Sequence, residues 1–382
     1  MASRLPAAPP VLSGFQYVRP LGTGGFADVF LFEQHMPRRP VAVKVLLTDI
    51  IDEALLRMFT AEADAMARLS AHPSILTIYE ASISADGRPY LVMEYCPSSF
   101  TSRYRQETIG LEEVLSLGVT MGSAIETAHR AGLLHRDIKP SNILVTRYGL
   151  PVLSDFGIAT AVGPGASGED VIAMSVPWSA PEIIAERSTG TVSSEVWSLG
   201  ATLYTLLAGV SPFEKPGRGM NQRELLKKRI AKASYTPTGR QDVTPELENI
   251  LRTAMAKQPE HRHESILQLV TELQEVQQSL GFQVTPIEIA EDPWQPERTP
   301  GEEPQFVPRQ PRSQVQYDSQ RVSGPAKRSR RQLRERASDM GVPGQEEAGR
   351  SYSPRQLALF VGGTVIVTAV VVSGLVSLLG GL

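Results

Sequence analysis

The sequence predicts an α+β protein in two unequal lobes, with a linker and an apolar helix appended. Three observations lead there. Alternating apolar and polar positions, the period of a half-buried strand, occupy the first part of the chain. Apolar residues at three- and four-residue spacing dominate from Leu111 to Leu280, and an uncharged run fills Leu357 to Leu379. Strands gathered at one end and helices at the other indicate an α+β arrangement rather than repeating βαβ units.

Strand-like runs cover Tyr17 to Leu21, Ala27 to Glu33 and Val41 to Leu47. A helical pattern follows from Ile51 to Leu69, then strands near Ile75 to Ile83 and Tyr90 to Glu94. Five strands and one main helix make the first lobe, residues 11–95. Past a short connection at Tyr95 to Ser98, helical spacing returns at Leu111 to Ala131, Ser194 to Leu207, Asn221 to Ala233, Pro245 to Met255 and Ser265 to Leu280. The second lobe, residues 98–280, is therefore mainly helical, and 11–280 is the expected folded domain. From 283 to 350 proline, glutamine, glutamate and arginine replace large aliphatics and no period survives, the composition of a disordered linker.

The run Leu357 to Leu379 has 23 residues, 14 of them Leu, Ile, Val or Phe. As a helix it extends roughly 34 Å against a hydrocarbon core of about 30 Å, so residues 357–379 are expected to span a bilayer. Those apolar residues favour insertion by at most about 4 to 8 kcal/mol. Arg350 and Arg355 precede the run, a basic cluster lies at Lys327 to Arg336, and nothing basic follows Leu379. The positive-inside rule then puts the folded domain in the cytoplasm of a single-pass membrane protein, with the C-terminus outside and no sensor domain there. The basic cluster is placed to touch anionic lipid. Thr364, Thr368, Ser373 and Ser377 would let two spans pack closely, which leaves self-association open.

Composition excludes some functions. A net charge of -3 gives no sign of a nucleic-acid partner. The single cysteine, Cys96, rules out an intrachain disulfide. Met1 to Pro10 contains one arginine and no apolar run, unlike a secretory signal.

The chemistry is concentrated in His135-Arg136-Asp137-Ile138-Lys139-Pro140-Ser141-Asn142, with Asp155-Phe156-Gly157 following. A carboxylate to take a hydroxyl proton, a lysine to neutralise phosphate, and an amide plus a second carboxylate for magnesium are the parts of a phosphoryl-transfer site. Upstream, Leu21-Gly22-Thr23-Gly24-Gly25 joins two strands and precedes Val41-Ala42-Val43-Lys44. In this order the motifs resemble those of eukaryotic-type serine/threonine protein kinases of bacteria, over about 270 of the 382 residues.

That resemblance implies a bilobal protein-kinase fold with ATP and Mg²⁺ in the cleft. Gly22, Gly24 and Gly25 would cradle the phosphates, and Lys44 would hold them while paired with Glu62, preferred over Glu53. Leu21, Val29, Ala42, Met93 and Leu144 would enclose adenine, with Glu94 and Cys96 bonding it through the backbone. Asp137 would orient the substrate hydroxyl, Lys139 would stabilise the phosphoryl oxygens, and Asn142 and Asp155 would ligate the metal. Lys139 accompanies serine and threonine specificity in the family. Protein Ser/Thr hydroxyls are the implied substrate, autophosphorylation included.

Further on, Glu182 of Ala180-Pro181-Glu182 would pair with Arg262, and Glu169 or Asp170 would mimic a phosphate on the activation segment. Departures from the family pattern are Ala27 for a glycine, Met174-Ser175-Val176 for the usual Gly-Thr and its neighbour, Trp178 for a tyrosine, and Glu195 for an aspartate that braces the catalytic loop. Ser175 is expected to reach both Asp137 and Lys139. Ala27 and Glu195 leave open an alternative, a membrane-anchored scaffold that binds nucleotide and partners without catalysis.

Overall fold

The computed structural model describes residues 4–25, 27–47, 53–156 and 175–290. The first lobe contains β1 (Phe15–Thr23), β2 (Ala27–His35), β3 (Arg38–Leu46), α1 (Glu53–Leu69), β4 (Ile78–Ile83) and β5 (Pro89–Glu94). The strands form one antiparallel sheet in the order β1-β2-β3-β5-β4. Alternation along β3 decides what faces where. Val41, Val43 and Val45 join Phe30, Phe32, Val92 and Leu12 in an apolar cluster on one side. Ala42 and Lys44 therefore point to the other side, toward α1 and the second lobe. Helix α1 buries Phe59, Glu62, Ala63, Met66 and Leu69, a three- and four-residue spacing that presents one face to the sheet.

The second lobe begins with β6 (Ser98–Ser99), α2 (Phe100–Gln106) and α3 (Leu111–Arg130), then β7 (Ile143–Val145) and β8 (Pro151–Leu153). Strands β6, β7 and β8 form a small sheet in that order. Beyond it lie α4 (Pro181–Ile184), α5 (Val192–Ala208), α6 (Arg223–Lys232), α7 (Pro245–Ala254) and α8 (Ile266–Ser279). Helix α5 starts where Thr191 accepts a hydrogen bond from the Ser194 amide and stops at Gly209 in the left-handed conformation, φ 72°. Helices α3 and α8 approach closely at Gly122, where an added Cβ would lie 2.1 Å from Val270 Cγ1.

Several boundaries differ from expectation. Helix α2 was not expected. Ile75 and Leu76 are buried, yet β4 starts only at Ile78. These two residues instead bond to β8: the Leu76 amide donates to Leu153 O at 2.9 Å, and the Leu153 amide donates to Ser74 O at 2.9 Å. The folded domain extends past 11–280 at both ends. Near the start, the Ala7 amide donates to buried Asp28 Oδ2 at 2.7 Å, and Arg4 pairs with the same carboxylate. At the other end, residues 283–290, read above as linker, lie along α3. Their bonding replaces the water that an open linker would keep.

Among the described residues no helix is long and apolar enough to cross a membrane. The run 357–379, the rest of the linker, Met174, Glu169 and Asp170 lie outside them.

Candidate active site

The glycine-rich turn closes through the Gly24 amide, which donates to Ala27 O at 2.8 Å. Open space surrounds the Cβ positions of Gly22 and Gly25, so no neighbouring side chain crowds the turn there. Ala27 begins β2, and its methyl packs with Leu46, Phe59, Ala63 and Leu91. The strand that follows carries Val29, opposite Lys44 on β3. Ala42 lies opposite Met93 on β5. Leu21, Val29, Cys96 and Leu144 pack against the large apolar core that contains Ala42 and Met93. Burial pushes the Cys96 thiol, aided by the charge of Glu94, up to about 12, and pushes the Glu94 carboxyl upward as well.

Lys44 is the centre of the charge arrangement. Its Nζ donates to Glu62 Oε1 at 2.8 Å and to Asp155 Oδ1 at 3.0 Å. The side chain of Glu53 lies outside the described residues. Burial alone would lower the Lys44 pKa, but Asp155 and Glu62 outweigh it and hold the ammonium above the usual lysine value. Asp155 is held below the ordinary carboxylate range, chiefly by the Lys44 charge, with burial opposing and a Ser154 hydroxyl assisting. The Asp155 backbone is left-handed, φ 56°.

The catalytic loop brings its groups together by bonds within itself. Asp137 Oδ2 accepts from Lys139 Nζ at 2.6 Å and from Asn142 Nδ2 at 3.0 Å. Asn142 Nδ2 also donates to Asp137 O at 2.8 Å, which turns its Oδ1 away from the aspartate. Lys139 Nζ donates to Ser175 Oγ at 2.7 Å. Ser175 thus reaches the lysine as expected, but no bond to Asp137 accompanies it. His135 is buried; its Nδ1 accepts from the Asp137 amide, so Nε2 carries the proton and donates to Ser154 O at 3.0 Å. Burial lowers its pKa and keeps the ring neutral. One imidazole thereby links the backbone of Asp137 to that of the residue before Asp155.

Glu195 on α5 is buried and two-pronged. Oε1 accepts from the Arg136 amide at 2.6 Å, while Oε2 meets His129 Nε2 at 2.6 Å. Arg136 has φ 66°, a conformation costing about 1 to 3 kcal/mol in a non-glycine residue, so the carboxylate anchors a strained point of the loop. Its partner His129 was missed from the sequence; a histidine in the last turn of an apolar helix carries no distinguishing mark. Glu182 and Arg262 form a forked pair at 2.7 and 2.8 Å, with Arg262 fully buried over the Trp197 ring. Trp178 donates to Thr205 Oγ1 at 3.0 Å, which fixes the end of the activation segment on α5.

The donors present suit a magnesium ion on a polyphosphate. Asp155 and the Oδ1 of Asn142 are hard oxygen ligands, and Mg²⁺ is commonly held by one or two protein oxygens completed by phosphate and water. The open amide-lined turn and Lys44 supply the positive side of the same cleft.

A cleft between a five-stranded sheet and a helical lobe, carrying this lysine–carboxylate pair and this catalytic loop, defines a protein kinase. The protein kinase domain family matches residues 15–275, and the chain belongs to that family. Its relatives include the serine/threonine-protein kinase PknK of Mycobacterium tuberculosis, 39% identical over 274 residues, 71% of this chain and 24% of that protein. PrkC of Bacillus subtilis is 34% identical over 258 residues, 66% of this chain and 38% of the relative. PknB of Mycobacterium leprae is 31% identical over 264 residues, 66% of this chain and 41% of the relative. The chain thus spans a quarter to two fifths of the length of these proteins.

Proposed function

We propose that the protein is a serine/threonine protein kinase that transfers the γ-phosphoryl group of ATP to protein hydroxyls, its own included. The carrying observation is the joint geometry of Lys44 with Glu62 and Asp155, and of Asp137 with Lys139 and Asn142. Asp137 orients the incoming serine or threonine hydroxyl and takes its proton at the carboxylate. Lys139, bonded to Asp137 at 2.6 Å, neutralises charge on the moving phosphoryl oxygens. Lys44 holds the α- and β-phosphates, with Glu62 fixing its ammonium. Leu21, Val29, Ala42, Met93 and Leu144 enclose adenine, which pairs with the backbone of Glu94 and Cys96. Asn142 and Asp155 would hold Mg²⁺, which when bound offsets phosphate charge and aligns the nucleotide.

The apolar run 357–379 and the basic residues before it support a single membrane span with the kinase domain in the cytoplasm. The cluster Lys327 to Arg336 then lies within reach of anionic lipid, and small residues in the span allow two copies to associate.

The test is phosphoryl transfer by the full-length chain. With labelled ATP and Mg²⁺, the wild type should label itself or a basic protein on serine or threonine. Asp137→Asn should reduce the rate at least about a hundredfold. Equal labelling by both forms would defeat the proposal.

A further inference from the structure

Helix α3 carries hydroxyls along one face at Ser116, Ser123 and Thr127. Ser123 donates to Val119 O at 2.8 Å and Thr127 to Ser123 O at 2.9 Å, one turn back. Each hydroxyl proton is therefore spent inside the helix, while the oxygen lone pairs still need a donor. Both residues are buried, 1% and 4% exposed, so water is not that donor. Residues 283–290 supply it. The Glu288 amide donates to Ser123 Oγ at 3.3 Å and the Ala290 amide to Thr127 Oγ1 at 3.2 Å. Thr285 anchors the start of the segment: its amide and hydroxyl bond to the buried Gln277 side chain, and its Oγ1 also donates to Ser116 Oγ at 3.0 Å. Phe282 and Ile287 pack against the main core.

The same segment also reaches the first lobe. His72, 2% exposed and just beyond α1, meets Glu288 O through Nε2 at 2.9 Å. Its Nδ1 accepts from the Ser74 amide at 3.0 Å, so the ring proton sits on Nε2 and is donated to Glu288 O. Burial lowers the His72 pKa and favours this neutral form. From Ser74 the chain of bonds continues to Leu153, two residues before Asp155. The loop that His72 opens also ends α1, the helix that carries Glu62.

We propose that residues 283–290 are a positioning strap: by bonding α3 and His72 together they fix the loop after α1, and with it the placing of Glu62 and Asp155 about Lys44. This rests on the kinase reading for its functional consequence, while the physical coupling does not. Because the strap runs on into residues 291 onward, force or binding there would be felt at the nucleotide cleft.

The test uses the full-length chain with Glu288→Pro and Ala290→Pro together, which removes both amide donors and leaves every catalytic group in place. His72→Phe, which keeps the ring volume and removes both the donor to Glu288 O and the acceptor of the Ser74 amide, is the second variant. Hydrogen exchange at the Leu76 and Leu153 amides should speed about tenfold in either variant, and at the Ser74 amide in the proline variant, which keeps its His72 acceptor, as for the loss of one or two hydrogen bonds. Affinity for Mg-ATP, measured by titration calorimetry, should fall about three- to tenfold. Unchanged exchange at these amides, in a proline variant whose 283–290 amides exchange freely, would overturn the strap. Faster exchange with unchanged Mg-ATP affinity would overturn its positioning role. A wild type that binds Mg-ATP but transfers no phosphate would refute the kinase reading alone, since both readouts are independent of turnover.

Discussion

The pair Glu182–Arg262 allows a stability prediction worked from contacts. Arg262 has no exposed side-chain surface and Glu182 has 13%. Replacing Glu182 by alanine strands a guanidinium where water is absent, and breaking such a buried pair costs about 3 to 5 kcal/mol. Arg262 keeps other acceptors: Ala256 O at 2.8 Å, Ser193 O at 3.0 Å and Lys257 O at 3.3 Å, with the Trp197 ring beneath at 5.0 Å. These retain part of its solvation, so the expected loss is near the lower end, about 3 kcal/mol. Urea unfolding followed by tryptophan fluorescence measures it, because Trp197 is fully buried against Phe213 and reports on this region. The companion variant Glu182→Leu with Arg262→Met removes both charges and should be more stable than Glu182→Ala alone. A loss below about 1 kcal/mol for Glu182→Ala, or a double variant less stable than the single, would refute the burial argument.

Other outcomes follow from the cleft. Asp155 has a lowered pKa, so its half of the pair with Lys44 is complete above the usual aspartate value and fails only as pH falls through the depressed one. Lys44 has a raised pKa, so its half is complete below the usual lysine value and fails only above it. Mg-ATP affinity should therefore show no step attributable to this pair between about pH 5 and pH 10, and a Lys44→Met-sensitive step inside that window would contradict the geometry. Cys96, with its thiol pushed up to about 12, should be alkylated by iodoacetamide at pH 8 roughly a thousandfold more slowly than an ordinary thiol. Labelling within minutes, read by mass spectrometry, would be the contrary result.

What the sequence discloses and what it conceals divide along physical lines. Lys44, Glu62, Asp137, Asn142 and Asp155 were legible because their chemistry demands particular side chains in a particular order, and no packing alternative uses the same string. The strands of the first lobe were legible because β3 separates its valines from Ala42 and Lys44 by strict alternation. Helix α2 was hidden by its length: Phe100–Gln106 has seven residues and one buried side chain, Phe100, too little for a period. Ile75 and Leu76 looked like strand because apolarity marks burial, and burial against β8 leaves the same trace. The strap was concealed more deeply. Its proline and glutamate suggest an open linker, whereas what binds it are backbone amides meeting hydroxyls of a distant helix, a match that hydropathy does not encode.

The two departures that left a non-catalytic scaffold open have definite surroundings in three dimensions. Glycine at position 27 would matter if the phosphates approached its α-carbon, but Ala27 opens β2 and turns its methyl into the α1 interface. Loss of that methyl would weaken packing beneath Phe59 rather than free the phosphate turn. At position 195 the extra methylene does not overshoot the catalytic loop. Glutamate reaches Arg136 with one oxygen and His129 with the other, both at 2.6 Å, so the loop is tied to α3 and α5 through one carboxylate. The carboxylate thereby holds a left-handed residue next to Asp137, a conformation that persists only where the surroundings fix it. Ala27 thus contributes packing beneath α1, and Glu195 ties the Arg136 backbone to His129.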